Sequence, residues 1–265
     1  MSAGGAKKMR HLVIATPCYD GKVVREHEIG LIETMAACHA HGIRCTIQSS
    51  EGHSLVTVAR NVAVHQFLKG DADGMLFIDA DVGFRPIDVL ALFQSGHDVC
   101  GGTYARKMLD GDAIVAAVEA GARGREINRF ASALALAAQP YGLVFDEFGF
   151  APVDYLPGGF LYMSRAALLA MCDAYPELAY VGQGHQGIDG ESLYALFDCE
   201  IKEDADGVRR YFGEDFIFCR RWRRIGGSLM LYSHARLRHV GAHVFEGNVD
   251  ERLVLGTDAE RGWGK

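Results

Sequence analysis

Apolar residues recur in two alternating rhythms along the first hundred positions. Short β-type runs, HLVIATP (11–17), IRCTIQ (43–48), GMLFID (74–79) and DVCGGTY (98–104), are separated by segments whose apolar spacing is helical. Residues 24–41 place Ile29, Ile32, Met35 and Ala36 on one stripe, residues 55–69 carry Leu55, Val58, Val62 and Phe67, and Pro86 opens a third helix reaching about Phe93. Alternation of strand and helix predicts an α/β fold with right-handed crossovers. Ligands of such sheets sit at the carboxyl ends of the strands.

The pattern loosens after residue 104. Residues 105–150 mix small and charged residues without a firm period. VDYLPGGFLYMSR (153–165) reads as strand, glycine turn, strand, with a helix to about Ala174. VGQGHQGIDGES (181–192) is glycine-rich and reads as a mobile loop, and CEIKEDADGVRR (199–210) as a polar hairpin or lid with a solvated Asp204/Asp206 pair. A helix over 213–226 ends at Gly226–Gly227, and LMLYS (229–233) follows as a strand. Phe216, Cys219, Trp222 (or Arg223) and Ile225 are expected to face the core, with Arg220, Arg221 and Arg224 outward as a solvated basic face. No repeat or low-complexity linker divides the chain. One domain over 1–265 is expected, with a nucleotide-binding half at 1–104 and an acceptor-binding half at 105–265.

Composition narrows the chemistry. With 265 residues, 49% of them hydrophobic, one large core is affordable. The net charge of -7 argues against a general nucleic-acid binder, which needs a cationic surface. Seven cysteines without a C-x-x-C pair, Cys38, Cys45 and Cys100 among apolar neighbours, read as reduced thiols of a cytoplasmic protein. No run reaches the ~20 apolar residues of a membrane span, although peripheral membrane contact stays open.

Candidate chemistry centres on FIDADVGF (77–84), where an apolar run ends in two aspartates. Asp-x-Asp occurs four times, at 71/73, 79/81, 110/112 and 204/206, yet only Asp79 and Asp81 follow an apolar strand. Carboxylates at a sheet rim are solvated, paired or bound to a hard cation, because burying them unpaired is costly. Capping a helix or shaping a turn is the alternative.

TPCYDG after the first strand, ARN at 59–61, FIDAD, GGTYARK at 101–107, PGGFLYMSR at 157–165, GEDFIFCRRWRRIGG at 213–227 and LRHVG at 237–241 together resemble the GT-A glycosyltransferase family. The resemblance implies a GT-A type α/β fold, a Rossmann-like N-terminal half and a mixed central sheet fused to a loop-rich acceptor half. It also implies transfer of a sugar from a nucleotide diphosphate, UDP- or GDP-linked, to a glycan or lipid-linked hydroxyl acceptor, with inversion. Thr16, Pro17 and Tyr19 would hold the nucleoside. Arg60 and Asn61, with Arg106 and Lys107, would meet the diphosphate. Asp79, Asp81 and His239 would bind Mn2+ or Mg2+, imidazole favouring manganese. His243 competes with His239, and H-x-x-x-H on a helix would suggest zinc, but Gly241 disfavours a helix there. Gly158 and Gly159 would admit donor and acceptor closely, the alternative being a hairpin turn. Asp215 would be the general base with Glu214 orienting it, although acidic residues also stabilise a helix start without catalysis.

Rival readings are weaker in their residues. A sugar-phosphate nucleotidyltransferase carries a glycine-rich basic loop after the first strand, where TPCYDGKV has one glycine and one lysine. A phosphatase places D-x-D-G-T after the first strand, not DADVG after the third. A non-catalytic nucleotide-sugar binder has no need of a Glu214/Asp215 pair.

Overall fold

The computed structural model describes residues 9–136, 142–183, 188–203 and 206–251. Strand β1 (His11–Pro17), helix α1 (Arg25–Ala40), β2 (Arg44–Ser50), α2 (Val56–Lys69), β3 (Gly74–Ile78), the two-residue β4 (Val82–Gly83), α3 (Pro86–Gln94) and β5 (Val99–Gly101) follow in order. Then come α4 (Gly111–Glu119), β6 (Phe150–Val153), β7 (Phe160–Ser164), α5 (Arg165–Ala174), β8 (Ala179–Val181) and β9 (Ser192–Tyr194). The hairpin of β10 (Glu200–Glu203) and β11 (Arg209–Phe212), helix α6 (Glu214–Arg224), β12 (Leu229–Tyr232), β13 (Arg238–Val240) and β14 (Val244–Glu246) complete the chain.

Seven strands form one mixed sheet in the order β2-β1-β3-β7-β5-β12-β6. The expected α/β architecture with a mixed central sheet is what the chain adopts. β1 is parallel to β2 and β3, and β5 to β12, whereas β7 runs antiparallel to β3 and β5 between them. The third and fourth expected strands are therefore not neighbours. β6 and β7 do not form the hairpin their proximity in sequence suggests, because β6 pairs with β12 at the far edge.

Side-chain alternation divides the core into two layers. Val13, Ala15, Met75, Phe77, Leu161 and Met163 face one cluster with α2, α5 and α6. Leu12, Ile14, Leu76, Ile78, Phe160 and Tyr162 face the other with α1 and α3.

Helix α1 reverses its expected orientation. His27, Gly30, Thr34 and Cys38 are buried, while Ile29, Ile32 and Met35 are 37, 63 and 45% exposed. Gly30 decides this, since an added Cβ would stand 2.9 Å from the Phe84 ring, so only glycine lets the helix approach that closely. His27 then links Thr16 Oγ1 (3.1 Å) to the Val82 carbonyl (3.2 Å). Leu55 is likewise exposed just before α2.

Helix α6 differs at one arginine. Ile217, Phe218, Cys219 and Trp222 are buried as part of the core, but so is Arg221, which donates to Ala195 O, Leu196 O and Glu200 Oε1 at 2.7, 3.0 and 2.6 Å. Phe216 is half-buried and Ile225 exposed. The 181–192 segment is tied at its ends: β8 pairs with β9, Ile188 is buried, and Glu191 binds His65 and Lys69. Residues 184–187, and Asp204 of the fourth Asp-x-Asp pair, lie outside the described residues. Asp110 serves as the N-cap of α4, while Asp73 receives the His11 amide, so two of the motif's copies have structural work. All seven cysteines are free. No helix among the described residues is long and apolar enough to cross a membrane.

Candidate active site

Two strand ends and one strand start converge on a single rim. Ile78 ends β3 and hands the chain to Asp79, while Phe160 starts the reversed β7, so Gly158 and Gly159 arrive beside Asp79. The Asp79 amide donates to Gly159 O at 3.2 Å, and Gly159 N donates to the Tyr104 hydroxyl at 3.2 Å. An added Cβ at Gly159 would lie 2.5 Å from Tyr104 Oη and 2.7 Å from Asp79 Oδ2, and one at Gly158 would lie 2.5 Å from the Arg60 guanidinium. These glycines serve close approach of groups within the protein, where the sequence suggested room for ligands.

Arg60 is the centre of the rim. Its side chain is 3% exposed; it donates to Gly158 O at 2.6 Å and to Asp79 Oδ1 at 3.0 Å, and its Nε stands 3.4 Å from Glu214 Oε1, an ion-pair distance without hydrogen-bond geometry. Burial alone would lower its pKa, but Asp79, Glu214, Tyr104 and Asp215 outweigh that and hold the guanidinium charged. The sequence assigned Arg60 to a diphosphate; in the fold its fork is spent on protein carboxylates and a carbonyl. Asn61 also turns away from the rim, exchanging both amide hydrogen bonds with the Phe197 backbone at 2.8 and 2.9 Å.

Helix α6 presents its first turn to the same place. Asp215 Oδ2 accepts from the Tyr155 hydroxyl at 2.7 Å and from Gly158 N at 3.1 Å, and its Oδ1 accepts from Phe216 N at 2.7 Å. Glu214, 15% exposed, is raised in pKa by burial, with Arg60 opposing and Asp215 and Asp79 adding to the rise. Burial, reinforced by nearby acidic charge, likewise pushes the Tyr104 and Tyr155 hydroxyls up, keeping both neutral, Tyr104 as acceptor from Gly159 N and Tyr155 as donor to Asp215.

Asp81 lies one residue beyond and is gripped from two sides. The small sheet β14-β13-β4 sets His239 opposite Val82, and Val240 N donates to Asp81 O at 2.8 Å. His239 Nε2 then stands 3.6 Å from Asp81 Oδ1, while Lys107 Nζ donates to Asp81 Oδ2. Burial would raise the Asp81 pKa, but the His239 and Lys107 contacts reverse this and hold it down to about 2. His239 Nδ1 is 2.9 Å from Ala105 O, a bond that makes Nδ1 the donor and leaves Nε2 facing the carboxylate. His243 instead packs edge-on against Phe245.

Of the remaining expected residues, Thr16 is buried against His27, Pro17 is half-buried at the end of β1, and Tyr19 is exposed. Arg106 is exposed, with its backbone amide on Ala133 O. The sequence reading did not single out Tyr104, Tyr155 or His27. Two of these stood in quoted motifs, GGTYARK and VDYLPGG, where a tyrosine next to a glycine-rich strand end marks a hydroxyl delivered to the rim.

A divalent cation can be tested against these donors. One carboxylate oxygen and one imidazole nitrogen face each other at Asp81 and His239, a mixed set suited to Mn2+. Asp79 gives its Oδ1 to Arg60, and no group of three His, Cys, Asp or Glu side chains among the described residues is arranged to hold a metal. The fit is thus that of a two-ligand site, as expected where a substrate's phosphates supply further oxygens.

No family model matches the chain, and no curated protein matches it. Among solved structures the chain is similar to A197 from STIV, at 18% identity over 91% of this chain and 95% of that one, with a TM-score of 0.45. It is also similar to GalNAc-T7 solved with UDP, GalNAc and Mn2+, at 12% identity over 88% of this chain and 44% of that one, TM-score 0.41. S. aureus TarS 1-349 follows at 14% identity over 85% and 58%, TM-score 0.36. Likenesses this distant leave the chemistry to the rim residues themselves.

Proposed function

We propose that this chain is a glycosyltransferase that moves a sugar from a nucleotide-diphosphate donor to a hydroxyl acceptor with inversion. The supporting observation is the Gly158 peptide, whose carbonyl accepts from Arg60 and whose amide donates to Asp215. Through it Asp79, by way of Arg60, and the helix-start pair Glu214/Asp215 form one network, with Asp81 two residues further along the chain. Two acidic pairs held a fixed distance apart suit a displacement with charge leaving on one side and a proton leaving on the other.

Asp215 takes the acceptor hydroxyl's proton in this reading. Tyr155 and the Gly158 amide fix its carboxylate, and Glu214 orients the pair through Arg60. Asp81 and His239 would hold Mn2+, which when bound supplies Lewis-acid neutralisation of the departing diphosphate. Lys107 and Arg106 stand on the loop beside Asp81 and would add positive charge there. Arg60 holds Asp79 at the rim through the hydrogen bond to its Oδ1. Thr16, Pro17 and Tyr19 at the end of β1 are the proposed nucleoside contacts, and the donor base is taken as uracil or guanine. A glycan or lipid-linked hydroxyl is the proposed acceptor.

Thermal stabilisation by UDP-, GDP- and dTDP-sugars, each with and without Mn2+, tests the donor half. One sugar nucleotide is expected to raise Tm in a Mn2+-dependent way and to be hydrolysed slowly, releasing its nucleoside diphosphate. If no sugar nucleotide shifts Tm or is hydrolysed, the proposal fails.

A further inference from the structure

Asp81 carries an ammonium on one carboxylate oxygen, beside the oxygen that its cation would take. Lys107 Nζ donates to Asp81 Oδ2 while His239 Nε2 faces Oδ1 at 3.6 Å, so both carboxylate oxygens are already engaged from two separate segments. The lysine is seated, not draped. Arg106 N donates to Ala133 O at 2.9 Å and Asp110 N to Ala131 O at 2.8 Å, fixing the loop on either side of Lys107. A Cβ at Gly241 would come within 3.2 Å of Lys107 Cδ, so the bare glycine of the β13–β14 turn is the bed for its stem. An ammonium on one oxygen and a divalent ion on the other oxygen of the same half-buried carboxylate stand close enough to repel each other, so each weakens the hold of the other.

We infer that Lys107 is a tethered competitor for the divalent cation: it closes Asp81 in the donor-free protein, and it swings to the donor's diphosphate when the cation enters. This rests on the cation reading given above and adds an order of events to it. Mn2+ alone meets an occupied carboxylate and binds weakly. A sugar nucleotide brings phosphate oxygens that receive the displaced ammonium, so cation and donor bind cooperatively. The exchange also protects the protein from futile metal capture, since the site opens fully only for the pair.

The test is titration of Mn2+ alone into the full chain, followed by loss of the free-ion electron paramagnetic resonance signal, and then titration of UDP or GDP at saturating Mn2+. Lys107→Met is expected to tighten binding of Mn2+ alone about tenfold and to weaken nucleoside-diphosphate binding by a similar factor. Lys107→Arg, which keeps the charge, is expected to stay near wild type in the first titration, and Lys107→Gln to follow methionine. Lys107 is a third exposed, so these variants should fold, which matching circular dichroism verifies. Unchanged or weaker Mn2+ binding in both neutral variants overturns the competitor role, while Mn2+-dependent nucleotide binding in the same proteins would leave the proposed function standing. Absence of Mn2+ binding in wild type and variants, with nucleotide binding independent of Mn2+, overturns both.

Discussion

Replacing Arg60 with methionine keeps the buried stem and deletes the guanidinium. Two acceptors lose their donor at once, the Gly158 carbonyl and Asp79 Oδ1, and the Glu214 carboxylate loses its ion-pair partner. Glu214 is the costly one, being mostly buried and already raised in pKa by that burial. Removing one partner of a buried ion pair costs about 3–5 kcal/mol, because the other charge stays desolvated and uncompensated. That is a large share of the ~5–15 kcal/mol by which a domain is stable. For a chain of this size each kcal/mol moves Tm by roughly 2–4 °C, so a drop of about 6–20 °C is expected in a thermal melt. Arg60→Lys retains the charge but cannot span all three partners, and should lose about half as much. Adding Glu214→Gln to the methionine variant removes the stranded carboxylate and should recover part of the loss, a coupling of about 0.5–3 kcal/mol. A methionine variant within about 1 kcal/mol of wild type, or no recovery in the double variant, would refute the view that Arg60 serves the protein's own carboxylates.

Three further outcomes follow from the rim. Gly159→Ala pushes a methyl against Tyr104 Oη and Asp79 Oδ2, so it should cost about 1–3 kcal/mol in denaturant unfolding and weaken donor binding in a titration. Asp215→Asn should lower kcat by about 10²–10⁴-fold in a transfer assay while leaving donor affinity unchanged; equal turnover would remove Asp215 as the base. Burial depresses the His27 pKa, against the pull of the Val82 carbonyl, Asp79 and Asp81, so below about pH 6.5 the unfolded chain binds more protons than the folded one. Stability should therefore fall as pH drops through about 6.5 toward 5, and His27→Gln should flatten that part of the Tm-versus-pH curve.

Strands β1 and β3 were readable as continuous apolar runs because the sheet is buried on both faces there. Leu12/Ile14 and Val13/Ala15 separate cleanly into the two cores, and the apolar run before Asp79 announced a strand end at the rim. Helix α1 was misread for a physical reason. Its core face is built from Gly30, Thr34, Cys38 and His27, the last bonded to Thr16 and the Val82 carbonyl, whereas its isoleucines face outward. Hydrophobicity ranks such residues wrongly when close approach and buried hydrogen bonds decide the packing. Arg221 was misjudged in the same way, since a guanidinium that donates to two carbonyls and a carboxylate can be buried at little net cost. Pairing across distant sequence was the other illegible part. Nothing local to residues 160–164 states that they insert between β3 and β5, or that residues 238–240 pair with 82–83 and carry His239 to Asp81.

That inserted strand is what makes the rim chemically different from the end of a parallel sheet. Parallel strands deliver only their carboxyl ends to such a rim, each followed by a loop that climbs into a helix. β7 runs the other way, so a loop descends into the sheet there, and its Gly158–Gly159 backbone lies flat against Asp79, Tyr104 and Arg60. A glycine in that place offers an amide donor and a carbonyl acceptor from two successive peptide units, with no side chain between them. Gly158 uses both, toward Asp215 and toward Arg60, so the spacing of the two acidic pairs is set by backbone geometry. The reversed strand thus does for the acidic pairs what a rigid template does in any two-centre site, and the glycines are there because a Cβ at either would push the template apart.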